Sequence, residues 1–166
     1  MNQYNLLYVE DDLETIENII FYIRKKFNKI YTANDGEKAL KVINDFKIDI
    51  LLLDINVPKI NGLKIAEIVR KSNEEISIIF LSAFGEKDKL LKAVNLQIDG
   101  YLLKPLQVEY LHLALDKVIN QLNKKSTIEE TIYLNNDIYW NIKNKELIFK
   151  NKQIILTNNE ILLLQL

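Results

Sequence analysis

The chain has 166 residues, 48% of them hydrophobic and 27% charged, which predicts a packed globular core and excludes wholesale disorder. It contains no cysteine, and this excludes disulfides, thiolate metal sites and cysteine nucleophiles. The formal net charge of −1 predicts no general attraction to DNA or acidic membranes, and no apolar run approaches the ~18 residues that a membrane span needs.

The segment up to about residue 122 alternates short apolar runs with amphipathic stretches. Strands are predicted at 6–9, 29–33, 48–53, 76–81 and 100–103. Helices are predicted at 13–27, 35–43, 63–71, 86–96 and from 105 to 122, with Asp35 capping the second. Five strand–helix units in alternation predict the α/β class, with a doubly wound parallel sheet and helices on both faces.

The rhythm changes after residue 122. The polar segment 123–130 is interpreted as a linker. Short strand candidates then follow at 131–134, 137–142, 146–149 and 153–156, which predicts an antiparallel meander. Thr157 and Glu160 form a capping box that predicts the start of a helix. The predicted organisation is therefore one domain over 1–122, a linker, and part of a second domain over 131–166.

Acidic residues follow two of the predicted strands. Glu10, Asp11 and Asp12 come directly after the first strand, and Asp54 comes directly after the third. In a doubly wound sheet these strands are expected to be neighbours at the switch point, where ligands bind. Four converging carboxylates repel each other unless a cation lies between them, and oxygen ligands of this kind suit Mg²⁺.

Two further polar residues follow the remaining strands of the predicted sheet. Lys104 follows the fifth strand and supplies an ammonium, and Ser82 follows the fourth and supplies a hydroxyl. Each residue alone has an ordinary explanation as a cap or turn residue. Together they predict an anion site that faces a carboxylate, which is what phosphoryl transfer to Asp54 requires.

Residues 4–122 resemble a response regulator receiver domain of bacterial two-component systems, which has a flavodoxin-like fold. The resemblance is carried along the whole segment by five groups of residues at the expected spacing: Leu7-Tyr8-Val9-Glu10-Asp11-Asp12, Asp35-Gly36-Glu37-Lys38-Ala39-Leu40, Asp54-Ile55-Asn56-Val57-Pro58 with Asn61-Gly62, Leu81-Ser82-Ala83, and Tyr101-Leu102-Leu103-Lys104-Pro105.

The resemblance implies a role for each residue of the site. It implies that Asp54 accepts the phosphoryl group and that Lys104 pairs with it. The Mg²⁺ ligands would be Glu10, Asp11, Asp54 and the backbone carbonyl of Asn56. The Lys104–Pro105 peptide bond is expected to be cis.

The resemblance also implies a conformational switch and a partner. Ser82 and Tyr101 match the switch pair, and the phosphodonor would be a sensor histidine kinase in the cytoplasm. Asn56 and Phe84, two residues beyond Asp54 and Ser82, would flank the path of an attacking water, and bulky Phe84 predicts a long-lived phosphoryl group.

Residues 131–166 resemble the start of an OmpR/PhoB-type effector domain, in which a four-stranded platform precedes a winged helix. The match lies in residues 154–164. It implies a transcription regulator whose recognition helix would lie beyond Leu166. DNA binding is therefore expected only of a longer form of the chain.

Relatives of this type dimerise through their fourth helix, fifth strand and fifth helix, by charged pairs between subunits. The positions that would carry these charges are uncharged here: Leu90 and Tyr110, Gly100 and Ala114, and Leu96 and Gln121. The residues predicted to form a homodimer face are Leu90, Leu96, Tyr110 and Ala114. Any homodimer on this face is therefore predicted to depend on apolar contact.

Three alternative functions fit part of this pattern. A phosphatase of the haloacid-dehalogenase type also uses an aspartate nucleophile, but it needs a second acid where Asn56 stands, and its nucleophile follows the first strand. A nucleotide-binding α/β domain needs a glycine-rich first turn, where this chain has Glu10 and Asp11. A pseudo-receiver that only binds a partner would not need the carboxylates and Lys104 that are present.

Overall fold

The computed structural model describes residues 3–72, 75–83, 87–129, 131–134, 137–142, 145–150 and 152–156. The chain divides into two compact units, residues 1–118 and residues 119–166. Among the described residues, none of the helices combines the length and the apolar character that a bilayer crossing requires.

Five strands and five α-helices alternate along the chain and make up the first unit, with the last helix continuing past residue 118. The strands are β1 Asn5–Val9, β2 Lys29–Ala33, β3 Ile50–Asp54, β4 Ser77–Ser82 and β5 Gly100–Leu103. The helices are α1 Leu13–Ile23, α2 Gly36–Asp45, α3 Gly62–Ser72, α4 Lys87–Asn95 and α5 Val108–Glu129, and a 3-10 turn, Arg24–Lys26, follows α1. The predicted α/β class is confirmed.

The five strands form one parallel sheet, as predicted, and their order is β2-β1-β3-β4-β5. Strands β3 and β4 are buried along their whole length, because helices cover the sheet on both faces. The pairing aligns Val9 with Leu53, and Asp54 with Leu81. The residues that follow β1, β3 and β4 therefore lie side by side at the carboxyl ends of the strands, which is called the carboxyl edge of the sheet.

Polar side chains cap the N-termini of α1 and α2 at this same edge. The Asp12 carboxylate accepts a hydrogen bond from the Thr15 amide at 2.7 Å and caps α1. The Asp35 carboxylate accepts from the Lys38 amide at 2.9 Å and caps α2, as predicted. These caps satisfy amides that the first helical turn leaves without partners, so they fix where each helix starts.

The second unit contains a four-stranded antiparallel sheet in the order β6-β7-β8-β9. Its strands are β6 Thr131–Tyr133, β7 Ile138–Asn141, β8 Glu146–Phe149 and β9 Lys152–Ile154, which confirms the predicted meander. Helix α5 is longer than predicted, because it runs through the segment interpreted as a linker to Glu129. The predicted capping box and helix at 157–164 lie outside the described residues.

Candidate functional site

Three carboxylates meet at the carboxyl edge of the parallel sheet. Glu10, Asp11 and Asp54 each place one carboxylate oxygen within 4.8 Å of the others. Glu10 and Asp54 are only 2% and 4% exposed, whereas Asp11 is exposed. The group could hold a cation: its donors are hard oxygens, and the exposed member leaves room for water, as Mg²⁺ prefers. The first and third strands are neighbours as predicted, but three carboxylates form this group and not four, because Asp12 caps α1.

Lys104 connects two of these carboxylates. Its ammonium donates to the Glu10 carboxylate at 2.6 Å and to the Asp54 Oδ2 atom at 2.5 Å. The backbone of Lys104 is fixed by its amide, which donates to the Ser82 carbonyl at 2.8 Å, and the following bond to Pro105 is cis, as expected. Strand β5 therefore delivers one positive charge to the acidic cluster.

Burial and crowding change the proton affinity of the groups in this cluster. Burial raises the pKa of the Glu10 carboxyl, and the Asp54 charge adds to this, although the hydrogen bond and charge of Lys104 act in the opposite direction. Burial alone would lower the pKa of Lys104, but its hydrogen bonds to Asp54 and Glu10 outweigh that effect and leave its pKa above the usual value. Lys104 is therefore held in its charged form.

Tyr8 is a member of the site that the sequence analysis did not single out. It is fully buried in β1, and its hydroxyl donates to the Glu10 carboxylate at 3.3 Å. Burial raises the pKa of the Tyr8 phenol, and the Glu10 charge raises it further. The signal in the sequence was a phenol in an otherwise apolar buried strand, because a buried hydroxyl needs a hydrogen-bond partner.

The loop after Asp54 is held close to the carboxylate. The backbone amide of Asn56 donates to Asp54 Oδ1 at 2.9 Å, whereas Lys104 donates to Oδ2. The two Asp54 oxygens therefore have different partners. A Cβ atom on Gly62 would lie 2.3 Å from the Asp54 backbone oxygen, and only glycine fits there. The Gly36 amide donates to the Pro58 carbonyl at 3.1 Å, which anchors the loop to the start of α2.

A lysine of α4 also reaches this loop. The Lys89 ammonium donates to the Asn56 side-chain oxygen at 2.5 Å. The sequence did not identify this contact, since periodicity alone does not tell which α4 side chain bends toward a neighbouring loop. Phe84, predicted to flank the path of water, lies outside the described residues.

The two residues predicted to act as a switch lie on neighbouring strands. Ser82 ends β4 and is fully buried, and Tyr101 in β5 is half-buried against the hydrophobic core. The pairing places Phe80 beside Tyr101 and Ser82 beside Leu103. These two residues are therefore close in the sheet, and Tyr101 does not lie wholly on the surface.

The residues of the predicted dimer face differ in exposure. Leu90 is 39% exposed and Tyr110 is 58% exposed. Leu96 is partly buried and packs against the hydrophobic core, and Ala114 is half-buried. Among these four residues, Leu90 and Tyr110 thus contribute most of the exposed apolar surface.

Comparison with known proteins agrees with this geometry. Residues 6–116 match the family described as "Response regulator receiver domain". The transcriptional regulatory protein RprY of Bacteroides fragilis is 32% identical over 132 residues, covering 77% of this chain and 54% of that protein. The response regulator SaeR of Staphylococcus aureus is 27% identical over 120 residues, covering 72% of this chain and 52% of that protein. The chain thus spans about half the length of these relatives.

Solved structures show the same fold. A response regulator receiver domain protein from Clostridium thermocellum has a TM-score of 0.67 at 24% identity, covering 73% of this chain and 98% of that chain. DrrB of Thermotoga maritima, described as an OmpR/PhoB homologue, has a TM-score of 0.66 at 19% identity, covering 98% of this chain and 71% of that chain. At these identities the likeness concerns the fold alone.

Proposed function

The chain belongs to the response regulator receiver family over residues 6–116, and on that premise we propose that Asp54 accepts a phosphoryl group from a sensor histidine kinase. The arrangement around the Asp54 carboxylate carries the proposal: it is nearly buried, hydrogen-bonded to Lys104, and grouped with Glu10 and Asp11. A carboxylate between an ammonium and further acidic ligands can take up a phosphoryl group together with a cation.

The transfer is a single displacement at phosphorus. One Asp54 oxygen attacks the phosphorus of the kinase's phosphohistidine, an O–P bond forms, and the P–N bond breaks with its electron pair staying on the imidazole. Lys104 already contacts Asp54 Oδ2, so its ammonium can follow the charge onto the phosphoryl oxygens. A Mg²⁺ ion held by Glu10, Asp11, Asp54 and the Asn56 carbonyl would supply the remaining positive charge.

The new charge is proposed to change the face formed by α4, β5 and α5. The Ser82 hydroxyl lies at the end of β4, next to the acceptor strand, and would turn to the phosphoryl group. Tyr101, half-buried on β5, would then move further inward into the space that Ser82 leaves. This is a two-state equilibrium biased by a local charge, and the domain is a signalling phosphoacceptor and not a turnover enzyme.

The proposed output is control of transcription, and the proposed location is the cytoplasm. RprY is named a transcriptional regulatory protein, and the sheet β6–β9 would be the platform that precedes a winged helix in OmpR/PhoB-type effectors. In such effectors a helix that comes after this platform reads DNA, and sequence-specific DNA binding is proposed for that helix.

Phosphorylation by a small donor tests the acceptor assignment. The protein is incubated with acetyl phosphate and followed by intact-mass spectrometry, with Mg²⁺ and with excess chelator. We expect one phosphoryl group per chain, formed only with Mg²⁺ and absent from Asp54→Asn. Asp45→Asn is the matched control, because Asp45 is an exposed carboxylate at the end of α2. Equal phosphorylation of Asp54→Asn and the unsubstituted protein would overturn the assignment.

A further inference from the structure

Tyr8 brings a hydroxyl from the buried core of the sheet to the acidic cluster. It lies in β1, which pairs with β2 on one side and with β3 on the other, and it is fully buried. Alternate residues along an extended chain point to the same face, so Tyr8 and Glu10 share a face of the sheet. The Tyr8 hydroxyl accordingly donates to Glu10 Oε2 at 3.3 Å.

Two side-chain donors of different character meet at this Glu10 oxygen. The Lys104 ammonium also donates to Oε2, at 2.6 Å, and the Asp12 backbone forms a further hydrogen bond with the carboxylate. Lys104 has a long, partly exposed side chain that is shared with Asp54, and its charge would follow a phosphoryl group. The Tyr8 ring is held by close packing in the core. Tyr8 is therefore the fixed member of this pair of donors.

The orientation of Glu10 matters because its carboxylate belongs to the group that could hold a cation. One oxygen of Glu10 lies within 4.8 Å of oxygens of Asp11 and Asp54. Residues that hydrogen-bond to metal-binding carboxylates fix their orientation, and removing such a residue typically lowers metal affinity about 10- to 100-fold. We infer that Tyr8 is a positioning residue of the cation site, whose hydroxyl holds the Glu10 carboxylate beside Asp11 and Asp54. The inference rests on the proposed binding of Mg²⁺ at this cluster.

The Mg²⁺ affinity of Tyr8→Phe tests this inference, because the substitution removes the hydroxyl and keeps the ring. Binding to the full chain, with no phosphodonor present, is followed by the shifts of amide NMR signals during titration with Mg²⁺. We expect the dissociation constant to rise about tenfold, the lower end of the range for such residues, because this hydrogen bond is long.

The unfolding midpoint separates positioning from packing. A hydroxyl that only supports the core would lower the midpoint of Tyr8→Phe by the same amount in chelator and in Mg²⁺. A hydroxyl that positions Glu10 also reduces the rise in midpoint that Mg²⁺ produces, because a ligand stabilises the folded state according to its affinity. We expect this smaller rise in Tyr8→Phe.

Tyr31→Phe is the matched control. Tyr31 lies in the neighbouring strand β2, and its ring stacks on Phe46 with 4.6 Å between the ring centroids. The control removes a phenol hydroxyl from the same sheet and should leave the Mg²⁺ affinity unchanged. In a Glu10→Ala background the Tyr8 hydroxyl has no carboxylate to hold, so Tyr8→Phe should weaken the remaining binding no further.

The outcomes separate this inference from the proposed function. If the unsubstituted chain binds Mg²⁺ and Tyr8→Phe binds it as tightly as Tyr31→Phe does, the inference is wrong and the acceptor role of Asp54 stands. A loss in the Glu10→Ala background as large as the loss in the unsubstituted chain would also contradict it, because Tyr8 would then not act through Glu10. If the unsubstituted chain does not bind Mg²⁺, the proposed cation site falls and takes the inference with it.

Discussion

Lys104 balances two nearly buried carboxylates, so its removal should be costly. In Lys104→Met the carboxylates of Glu10 and Asp54 would face each other without their shared ammonium. The Lys104 side chain is 28% exposed, so water screens part of the effect, and we expect a loss of about 1–3 kcal/mol in the free energy of unfolding without Mg²⁺.

Urea denaturation in the presence of a chelator measures this loss. Lys47→Met is the control, because the Lys47 side chain is 85% exposed and its ion pair with Asp49 should contribute at most about 1 kcal/mol. A loss for Lys104→Met no larger than that for Lys47→Met would show that the bridge contributes little to stability.

Asp35, which caps the start of α2, should make the stability of the receiver unit depend on pH. The hydrogen bond from the Lys38 amide lowers the pKa of the Asp35 carboxyl, and Lys59 lowers it further. A lowered carboxyl pKa contributes stability that is fully present above the unfolded-state pKa of about 4, and this stability is lost as pH falls through the lower folded-state pKa. Asp35→Ala should therefore lower the urea midpoint at pH 7 and have a smaller effect at pH 3.

Asp35→Ser is the matched variant, because serine retains a capping oxygen without the charge. It should be more stable than Asp35→Ala at both pH values. An Asp35→Ala deficit that is the same at pH 3 and pH 7 would contradict a contribution from the ionised carboxylate.

At the scale of elements, the junction between β3 and α3 fixes the acceptor. Gly62 begins α3, and its amide donates to the Ile55 carbonyl at 3.0 Å. In Gly62→Ala the added Cβ would meet the Asp54 backbone oxygen at 2.3 Å, which cannot be relieved by moving a side chain. We expect a loss of about 1–3 kcal/mol in stability and slower phosphorylation, because the backbone of Asp54 must shift.

Gly100→Ala is the control for this prediction. The nearest atom to its added Cβ would be a side-chain carbon of Ile79 at 3.3 Å, which can move by a few tenths of an ångström. Thermal unfolding and acetyl phosphate labelling of both variants make the comparison. Equal behaviour of the two variants would mean that the loop yields more easily than the contact with Asp54 suggests.

The order of the elements and the main residues of the site could be predicted, because parallel strands end at one edge of the sheet. This rule brings Glu10, Asp54 and Lys104 together without any knowledge of side-chain contacts. The length of α5 could not be predicted, since its last turns lack apolar periodicity. Gln121, Lys124 and Lys125 are good helix formers, and the helix continues through them.

Contacts made by individual side chains also could not be predicted from the sequence. Tyr8 was interpreted as part of an apolar strand. The residue pattern of that strand does not show which group the Tyr8 hydroxyl contacts. The contact between Lys89 and Asn56 depends on the distance from α4 to the neighbouring loop, which is a tertiary property. In both contacts, the sequence shows the chemistry of each side chain but does not show which residue it contacts.

For the molecule as a whole, the cluster of Glu10, Asp11 and Asp54 should make folding stability depend on Mg²⁺. A ligand that binds only the folded state stabilises it by about 2.7 kcal/mol at a hundred times its Kd. We expect Mg²⁺ to raise the unfolding midpoint of the receiver unit, and Asp11→Asn to reduce this rise. Asp11 is the exposed member of the cluster, so the substitution should disturb the fold little.

Calorimetric scans with increasing Mg²⁺ measure the effect, with Asp45→Asn as the control carboxylate. Ca²⁺ at the same concentration tests for a general effect of divalent charge. An unfolding midpoint that Mg²⁺ leaves unchanged, or that it raises equally in Asp11→Asn, would contradict binding at this cluster.

Self-association through α4, β5 and α5 stays a prediction, and the structure shows which residues could carry it. Leu90 and Tyr110 are the members of the predicted face with large exposed apolar surface, since Leu96 packs against the core. Each large apolar side chain that a dimer buries contributes about 1.5–3 kcal/mol when fully exposed beforehand, whereas an exposed ion pair contributes about 0–1 kcal/mol. A dimer on this face should therefore resist salt.

Sedimentation at low and high salt measures this association. Leu90→Glu and Tyr110→Glu should each weaken it about tenfold or more, because a buried carboxylate adds a desolvation cost to the lost apolar contact. Phe21→Glu places the same charge at a residue of α1 that is 64% exposed and should leave association unchanged. Dissociation by salt alone would show that charged pairs hold the dimer, and an equal effect of all three variants would place the interface elsewhere.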